Sequence, residues 1–490
     1  MYAKKVARDV KTWSRKALES QDELMFSLIK DASNTKFGVD HRFSSIKSYE
    51  DFKKQVPIRD YEDLRPYIDL VTKGEKDILW PGKPKYFAKT SGTTSGMKYI
   101  PITDESMPNH INSARIAMLN NIASRQDASV FDGKMIFLSG SPVLEEKGGV
   151  ATGRLSGIVN HEIPAWIKTN QLPSYETNCI DDWETKLDKI IDETIDQDMR
   201  LISGIPPWVQ MYYERLLERT GKSSVIEIFP NLNLFIYGGV NFEPYRAKIN
   251  SLVGKEIASV ELYPASEGFI AFQNNPDNAD LLLITNSGIF YEFILYDEVF
   301  KDAPLRLRLH EVELGVDYAL IIHNNAGLWG YSIGDLVRFT SLDPYKIVVS
   351  GRIKHFISAF GEHVIGKEVE EALNEVVKAH QASIVEFTVA PQVNPSHGLP
   401  YHEWFIEFGI VPKDLHQFAN DLDALMTRKN IYYQDLIVGG ILKPLVITLM
   451  QKDAFRNYMK DNGKLGGQNK VARLGNDRKI ADQLIPYILK

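Results

Sequence analysis

At 490 residues the chain is longer than a single hydrophobic core usually grows, so two or more domains are expected. Its 44% hydrophobic and 25% charged residues belong to an ordinary globular protein and exclude an intrinsically disordered one. A net charge of −7 argues against a nucleic-acid-binding surface, leaving room for a local positive pocket, and no apolar run is as long as a membrane span requires.

The N-terminal stretch Met1 to Asp9 is basic but has no apolar h-region, so secretion is not expected and the cytoplasm is. The single cysteine, Cys179, can form neither an internal disulfide nor a thiolate cluster. Among the histidines, His397 and His402 flank Gly398 and Pro400, which is loop chemistry rather than a metal site. The first eighty residues read as helical and peripheral, with Pro-punctuated joins such as Val56-Pro57-Ile58-Arg59-Asp60, and they would cover the larger domain.

Next comes Lys89-Thr90-Ser91-Gly92-Thr93-Thr94-Ser95-Gly96-Met97-Lys98, with two glycines, five hydroxyl side chains and a lysine at each end. Glycines let a backbone turn sharply, so that consecutive N–H groups converge on an anion. Hydroxyls add donors and Lys98 adds charge, which suits the phosphates of a nucleotide. The spacing is not that of a Walker A loop: three residues separate Gly92 from Gly96, and Lys98 is followed by Tyr99. Alone, the stretch would also read as a flexible polar linker.

Asp104 to Arg125 is expected as a helix capped by Thr103 or Asp104, with Pro108 near its start. Lys134 to Gly140 reads as a buried strand ending in a turn, and Asp181 to Asp198 as an amphipathic helix. Strands at 201–205, 232–239 and 258–263 alternate with helices at 206–217 and 244–252. That rhythm predicts a parallel sheet covered by helices, with ligands at the carboxyl ends of its strands. Gly238-Gly239 and the segment after Tyr263 fall at such ends. Residues 281–341 turn β-rich, as expected for a smaller barrel-like or antiparallel layer. Beyond Ser350-Gly351-Arg352, helices at 367–380 and 413–428 and strands at 382–389, 404–410 and 445–450 predict a compact α+β domain.

Four features stand in order: the hydroxyl/glycine loop, Tyr263-Pro264-Ala265-Ser266-Glu267-Gly268, Tyr331-Ser332-Ile333-Gly334-Asp335, and Ser350-Gly351-Arg352-Ile353-Lys354. Their order and spacing resemble the acyl-adenylate-forming superfamily. Within it they are most similar to the plant auxin- and jasmonate-conjugating acyl acid–amido synthetases and their bacterial relatives. The ending Gln468-Asn469-Lys470-Val471-Ala472-Arg473 resembles that family's terminal Lys-x-Pro-Arg, with Ala472 where the family more often has proline.

The resemblance implies an α/β fold. A large N-terminal adenylate-forming domain (1–350) would hold the ATP and acyl sites, and a small mobile α+β lid (351–490) would rotate between half-reactions. It makes Ser91, Gly92, Thr93, Thr94, Ser95, Gly96 and Lys98 the triphosphate-binding stretch, whose bonds to charged acceptors would be strong ones. Tyr263, otherwise a core aromatic, becomes the adenine-stacking ring, with Ala265 and Ser266 beside it. Glu267, otherwise a solvated carboxylate, becomes the holder of Mg²⁺, a hard cation suited to oxygen ligands. Asp335, otherwise a turn residue, would accept from the ribose hydroxyls. Gly238 and Gly239 would border the acyl and adenylate site, Arg352 would contact the nucleotide near the hinge, and Lys470 would bring a cation to the reacting carboxylate and α-phosphate.

The implied cofactors are ATP and Mg²⁺, and the implied partners a small carboxylic acid and an amino acid or other amine, with neither nucleic acid nor membrane. No Gly-x-Ser-x-Gly signature appears, consistent with activation by ATP in place of an enzyme nucleophile. Two alternatives stay open: an acyl-CoA ligase using the same adenylation step, and an inactive nucleotide-binding sensor or scaffold. The acid, the acceptor and the oligomeric state are not legible.

Overall fold

The computed structural model describes the chain except residues 92–96, 181, 240–241, 302, 354–355, 358, 360–363, 394, 466–469, 476 and 490. It divides into two compact units, Met1–Val349 and Ser350–Lys490. Among the described residues no helix is long and apolar enough to cross a membrane.

The first unit begins with the helices Tyr2–Ser14, Ala17–Asp31, Lys36–Asp40, Tyr49–Gln55 and Tyr61–Thr72. Side-chain caps start three of them: Thr35 accepts from the Gly38 N–H, Ser48 from Asp51, and Asp60 from Glu62 and Asp63 in a capping box. The helix expected from Asp104 begins at Met107, with Pro108 in its first turn, because Thr103 and Ser106 bond each other's backbone N–H in the preceding turn.

A small sheet contains β1 (Tyr86–Ser91), β2 (Met97–Ile102), β4 (Glu145–Lys147) and β5 (Val150–Gly153) in the order β2-β1-β5-β4. An eleven-stranded sheet contains β3 (Lys134–Phe137), β6 (Gln171–Leu172), β7 (Met199–Ser203), β8 (Leu234–Gly238), β9 (Ala258–Ala265), β10 (Gly268–Phe272), β11 (Leu281–Leu283), β12 (Ile289–Leu295), β13 (Asp317–Asn324), β14 (Tyr331–Leu342) and β15 (Tyr345–Arg352). Its order is β12-β13-β14-β15-β11-β10-β9-β8-β7-β3-β6. The expected parallel strands pair as β3-β7-β8-β9, and the short β6, not expected, adds in parallel beside β3. From β9 to β10 the pairing turns antiparallel, and the β-rich segment joins edge to edge with the parallel strands in this one sheet.

Alternation along the strands serves two covers. Leu282 and Ile284 face a cluster with Val6, Val10, Ala117 and Met118 from the helices Tyr2–Ser14 and Met107–Arg125. Leu281 and Leu283 face a cluster with Leu28, Phe37, Phe52, Leu64 and Trp329, which ties four N-terminal helices to the antiparallel strands. Gln21 crosses the same boundary: its amide donates to the carbonyls of Thr285 (2.8 Å) and Ile289 (2.9 Å) and accepts from the Tyr291 N–H at 2.8 Å.

Under this cover lies a buried charge. Glu292 is 0% exposed as a side chain. It accepts from Tyr49 Oη at 2.7 Å, from His323 Nε2 at 2.7 Å and from the Arg306 guanidinium, whose Nε is 3.1 Å from both carboxylate oxygens. Burial alone would push this carboxyl up; the Arg306 charge and the His323 bond outweigh it and hold the group at about 2. His323 accepts the Gly330 N–H at 3.0 Å on Nδ1, so its proton sits on Nε2, facing Glu292. Burial lowers its own pKa and keeps the ring neutral. Arg306 also donates to the carbonyls of Lys53 and Val56.

The second unit holds β16 (Phe356–Ile357) and β17 (Val364–Ile365), then β18 (Ser383–Gln392), β19 (Tyr401–Ile410) and β20 (Val446–Leu449) in one three-stranded sheet. Phe387, Val389, Trp404 and Ile406 pack on the helices Gly366–Ala379 and Leu415–Lys429. Phe405 and Met450 pack with Phe455, Tyr458 and Leu484. The helices Ile431–Val438, Ala454–Asp461 and Lys479–Leu484 were not expected from the sequence.

Truncating Arg306 would leave Glu292 buried without its counter-charge. Arg306→Ala is expected to lower unfolding free energy in urea by about 3–5 kcal/mol, whereas Lys301→Ala, on an exposed pair, should change it by less than about 1 kcal/mol.

Candidate functional site

The carboxyl ends of β8 and β9 lie side by side, with Gly238 opposite Leu262. A β-carbon on Gly238 would stand 2.5 Å from the Leu262 carbonyl oxygen, so only glycine lets the strands come this close. Gly239 follows at φ 71°, exposed. β9 then turns through Ala265, Ser266 and Glu267 into β10, with Ala265 paired to Gly268.

Remote side chains clamp this turn. The Asn324 amide donates to the Glu267 carbonyl at 2.7 Å. Asn109 accepts from the Phe269 N–H at 2.6 Å and donates to its carbonyl at 3.1 Å. The Glu267 carboxylate has Tyr331 Oη 3.5 Å away. Tyr331 opens β14, where the N-terminal segment pairs with it: Arg59 N–H donates to Gly330 O at 2.7 Å, and Ser332 N–H to Arg59 O at 2.8 Å.

Asp335, four residues along β14, is 3% exposed and accepts from Tyr263 Oη at 2.6 Å. The expected adenine-stacking ring and the expected ribose acceptor are therefore bonded to each other. An ionised carboxylate has two oxygens and about four lone-pair sites, so one bond from Tyr263 orients Asp335 without exhausting it. Lys98, on β2, places its ammonium 5.3 Å from the centre of the Tyr61 ring; Tyr61 Oη accepts from the Tyr99 N–H at 2.8 Å. Tyr61 is also among the groups whose charge acts on Tyr331, the first cause of whose raised pKa is burial. Lys98, Tyr61, Tyr331 and Glu267 thus form one neighbourhood.

Gly92, Thr93, Thr94, Ser95 and Gly96 lie outside the described residues, as do the side chains of Ser91, which closes β1, and Arg352, which closes β15. In the second unit Lys470 is exposed. The chain beyond it docks on β18: Thr388 Oγ1 donates to Ala472 O at 2.6 Å, the Val389 N–H to Arg473 O at 2.9 Å, and the Gly475 N–H to Val389 O at 2.9 Å. Arg473 pairs with Glu370 at 3.0 Å and Glu386 at 3.4 Å, and lies over the Phe387 ring. Main-chain pairing and ion pairs thus hold the segment that contains Ala472.

No group of three or more His, Cys, Asp or Glu suited to a metal is present among the described residues. Mg²⁺ needs none, since it binds through one or two carboxylates plus substrate phosphates and water; a single carboxylate, Glu267, fits that chemistry.

Sequence reasoning missed Asn109, Asn324 and Tyr61, and also Glu261. Glu261 stands two residues before Tyr263 on the same face of β9, paired with Tyr237 of β8. Burial pushes its carboxyl up to about 7, against a distant Tyr237 hydroxyl (3.5 Å) and Arg246, with Glu243 adding to the rise. An acid inside an apolar strand was the available signal.

Models of the GH3 family N-terminal, central and C-terminal domains match residues 6–167, 282–352 and 367–479. The chain is 23% identical over 403 residues to jasmonoyl–L-amino acid synthetase JAR4 of Nicotiana attenuata, covering 68% of each protein. It is 20% identical over 551 residues to indole-3-acetic acid-amido synthetase GH3.3 of Arabidopsis thaliana, covering 96% of this chain and 91% of that one. The solved AtGH3.15 acyl acid amido synthetase in complex with 2,4-DB superposes with TM-score 0.83 at 16% identity, over 100% of this chain and 96% of that one. A 2-hydroxyisobutyryl-CoA ligase in the postadenylation state gives 0.52 at 14% identity, over 99% and 92%. These likenesses show an adenylate-forming fold.

Glu261 makes stability depend on pH. Its carboxyl is raised from 4.5 in an ordinary setting to about 7, so the folded state binds the proton more tightly. The contribution is fully present below pH 4.5 and is lost as pH rises through about 7. Glu261→Gln should remove that slope and raise unfolding free energy at pH 8 by up to about 3 kcal/mol, read by urea denaturation at pH 5 and pH 8.

Proposed function

The chain belongs to the GH3 family, and from that premise we propose that it is an ATP-dependent acyl acid–amido synthetase. The observation that carries the reading is the clamped turn Tyr263–Glu267 with Tyr331 and Asp335 of β14 beside it, at the carboxyl ends of parallel strands. Relatives across the matched length are themselves named amino acid or amido synthetases.

In the first half-reaction an oxygen of the substrate carboxylate attacks the α-phosphorus of ATP in line. A P–O bond forms to the acid, the P–O bond to pyrophosphate breaks, and acyl-AMP results. In the second, an amine nitrogen attacks the acyl carbon; the C–N bond forms, AMP departs with the electron pair of the C–O bond, and the amine's surplus proton passes to solvent. No covalent enzyme intermediate is needed, so positioning and electrostatics supply the rate.

Asp335 would hold the ribose hydroxyls, kept in place by Tyr263, and Gly238, Gly239, Ala265 and Ser266 would border the nucleotide. Ser91, Gly92, Thr93, Thr94, Ser95, Gly96 and Lys98 would receive the phosphates. Glu267 would hold Mg²⁺, which when bound neutralises phosphate charge. Arg352 would meet the nucleotide near the junction, and Lys470 would meet the charge developing on the reacting carboxylate and α-phosphate.

Acid-dependent exchange of labelled pyrophosphate into ATP, across aromatic and aliphatic acids, tests the first half-reaction; amino acids and coenzyme A are then compared as acceptors. Exchange with at least one acid and amide product with an amino acid are expected. No exchange with any acid by a protein that binds ATP would overturn the reading. Glu267→Gln is expected to lower exchange by about 10²–10³-fold. Lys470→Ala should abolish turnover while ATP binding, measured by calorimetry, persists.

A further inference from the structure

Position 268 calls for glycine, since a β-carbon there would stand 2.5 Å from Ile289 Cδ1. The turn from β9 to β10 therefore carries its most permissive residue directly after Glu267. Left alone, that joint would let the main chain of the acid, and the carboxylate with it, take several orientations. The strands do little to prevent this. Phe269 stands opposite Pro264, which has no N–H to give, and the β9–β10 register shifts between Phe269 and Ala271. Tyr331 Oη, 3.5 Å from the Glu267 carboxylate, stands at the long limit of a hydrogen bond.

Two amides from elsewhere in the chain close the joint from both sides. Asn109, in the first turn of the helix Met107–Arg125, takes up both main-chain groups of Phe269, accepting its N–H at 2.6 Å and donating to its carbonyl at 3.1 Å. Asn324, the last residue of β13, donates to the Glu267 carbonyl at 2.7 Å. Its own oxygen accepts the N–H groups of Ala326 and Leu328, each at 3.0 Å, so the same side chain shapes the hairpin that leads into Tyr331. Asn325 extends the tie: its amide donates to the Glu105 carbonyl at 2.8 Å, and its carbonyl accepts from Thr103 Oγ1 at 2.7 Å, just past the strand of Lys98. Asn109 is 4% exposed and Asn324 1%. Burying an amide is costly unless its bonds are made, and here those bonds converge on the residues either side of Gly268.

A carboxylate that must hold a cation loses less freedom on binding when its main chain is already fixed, and groups behind a metal ligand set its affinity for that reason. We propose that Asn109 and Asn324 are positioning residues for Glu267: by pinning the chain on both sides of Gly268 they set how tightly the carboxylate holds Mg²⁺. Neither side chain is given contact with the metal or the nucleotide. The two act from opposite directions, one from the helix after the phosphate-binding stretch and one from the hairpin before Tyr331, so each should be needed. This rests on the reading of Glu267 as the holder of Mg²⁺ given above.

The test compares the full chain as wild type, Asn109→Ala, Asn324→Ala, Glu267→Gln and Gln273→Ala. Gln273→Ala is the control for a merely structural role: this buried amide clamps main chain at the opposite end of β10, accepting the Glu261 N–H at 3.0 Å and donating to the Asn278 carbonyl at 2.7 Å. Two quantities are read. One is the gain in ATP affinity that Mg²⁺ confers, from calorimetry with and without the metal; the other is the Mg²⁺ concentration giving half-maximal acid-dependent pyrophosphate exchange. Asn109→Ala and Asn324→Ala should each cut the first and raise the second by roughly 10–100-fold, with metal-free ATP binding held within about twofold. Gln273→Ala should move neither. An unchanged Mg²⁺ requirement in the asparagine variants, an equal loss of ATP binding with and without the metal, or the same shift in Gln273→Ala would each overturn the proposal. Asn109→Ser and Asn324→Ser, whose side chains stop short of the turn but leave a hydroxyl in the space, decide it if the alanine variants fail to fold. Glu267→Gln separates two failures. If it leaves the Mg²⁺ requirement at the wild-type value, Glu267 does not hold the metal and that reading falls together with this proposal. If it shifts the requirement and the asparagine variants do not, only this proposal falls.

Discussion

A carboxylate with no access to water sits where the N-terminal helices meet the antiparallel half of the large sheet. Glu292 can remain ionised there only because Arg306 supplies charge and Tyr49 and His323 supply hydrogen bonds. Each partner comes from a different part of the chain: Tyr49 from a covering helix, Arg306 from the segment between β12 and β13, and His323 from β13, and Arg306 also holds the Lys53 and Val56 carbonyls at the end of the Tyr49 helix. Through His323 Nδ1 the network reaches the Gly330 N–H, one residue before Tyr331. The strand that carries Tyr331 and Asp335 is thereby registered against the cover, and the cover answers with Arg59 paired to Gly330 and Ser332.

The candidate site lies where the sheet changes from parallel to antiparallel pairing. To one side of β9 the strands run parallel, β8 ending at Gly238; to the other they run antiparallel, with β9 joined to β10 by a short turn. Tyr263 and Glu267 come from the boundary, Tyr331 and Asp335 from the antiparallel side, and Lys98 from the small sheet. The Tyr263–Asp335 bond joins the boundary to β14, so ring and carboxylate hold each other's orientation.

Much of this was legible because it is local. Apolar runs such as 199–203 and 234–238 announce buried strands, and Tyr263 to Glu267 is a contiguous segment that can be read as one motif. The family named from the motifs is the one whose domain models match the chain. Short strands β4, β5 and β6 were not legible, because two to four residues are too few for a period to register. The helix Ala454–Asp461 has a clear apolar face but spans only two turns, and Ile431–Val438 lacks one clear face. Asn109 and Asn324 escaped for another reason: each acts on a turn 160 and 57 residues away in sequence, and only the fold reveals what a buried amide is for.

Gln21 carries a consequence for how the chain is made. Among the described residues its side chain is satisfied by Thr285, Ile289 and Tyr291, 264 to 270 residues later. At ribosomal speeds of about 5–20 residues per second, the N-terminal helices wait roughly 15–50 s for the strands that complete their buried face. During that interval Met25, Leu28 and Ile29 have no native partner from the antiparallel strands. The most ordinary part of the molecule, its helical cover, is thus the first made and among the last finished, and synthesis must keep an apolar surface from other partners until the sheet arrives.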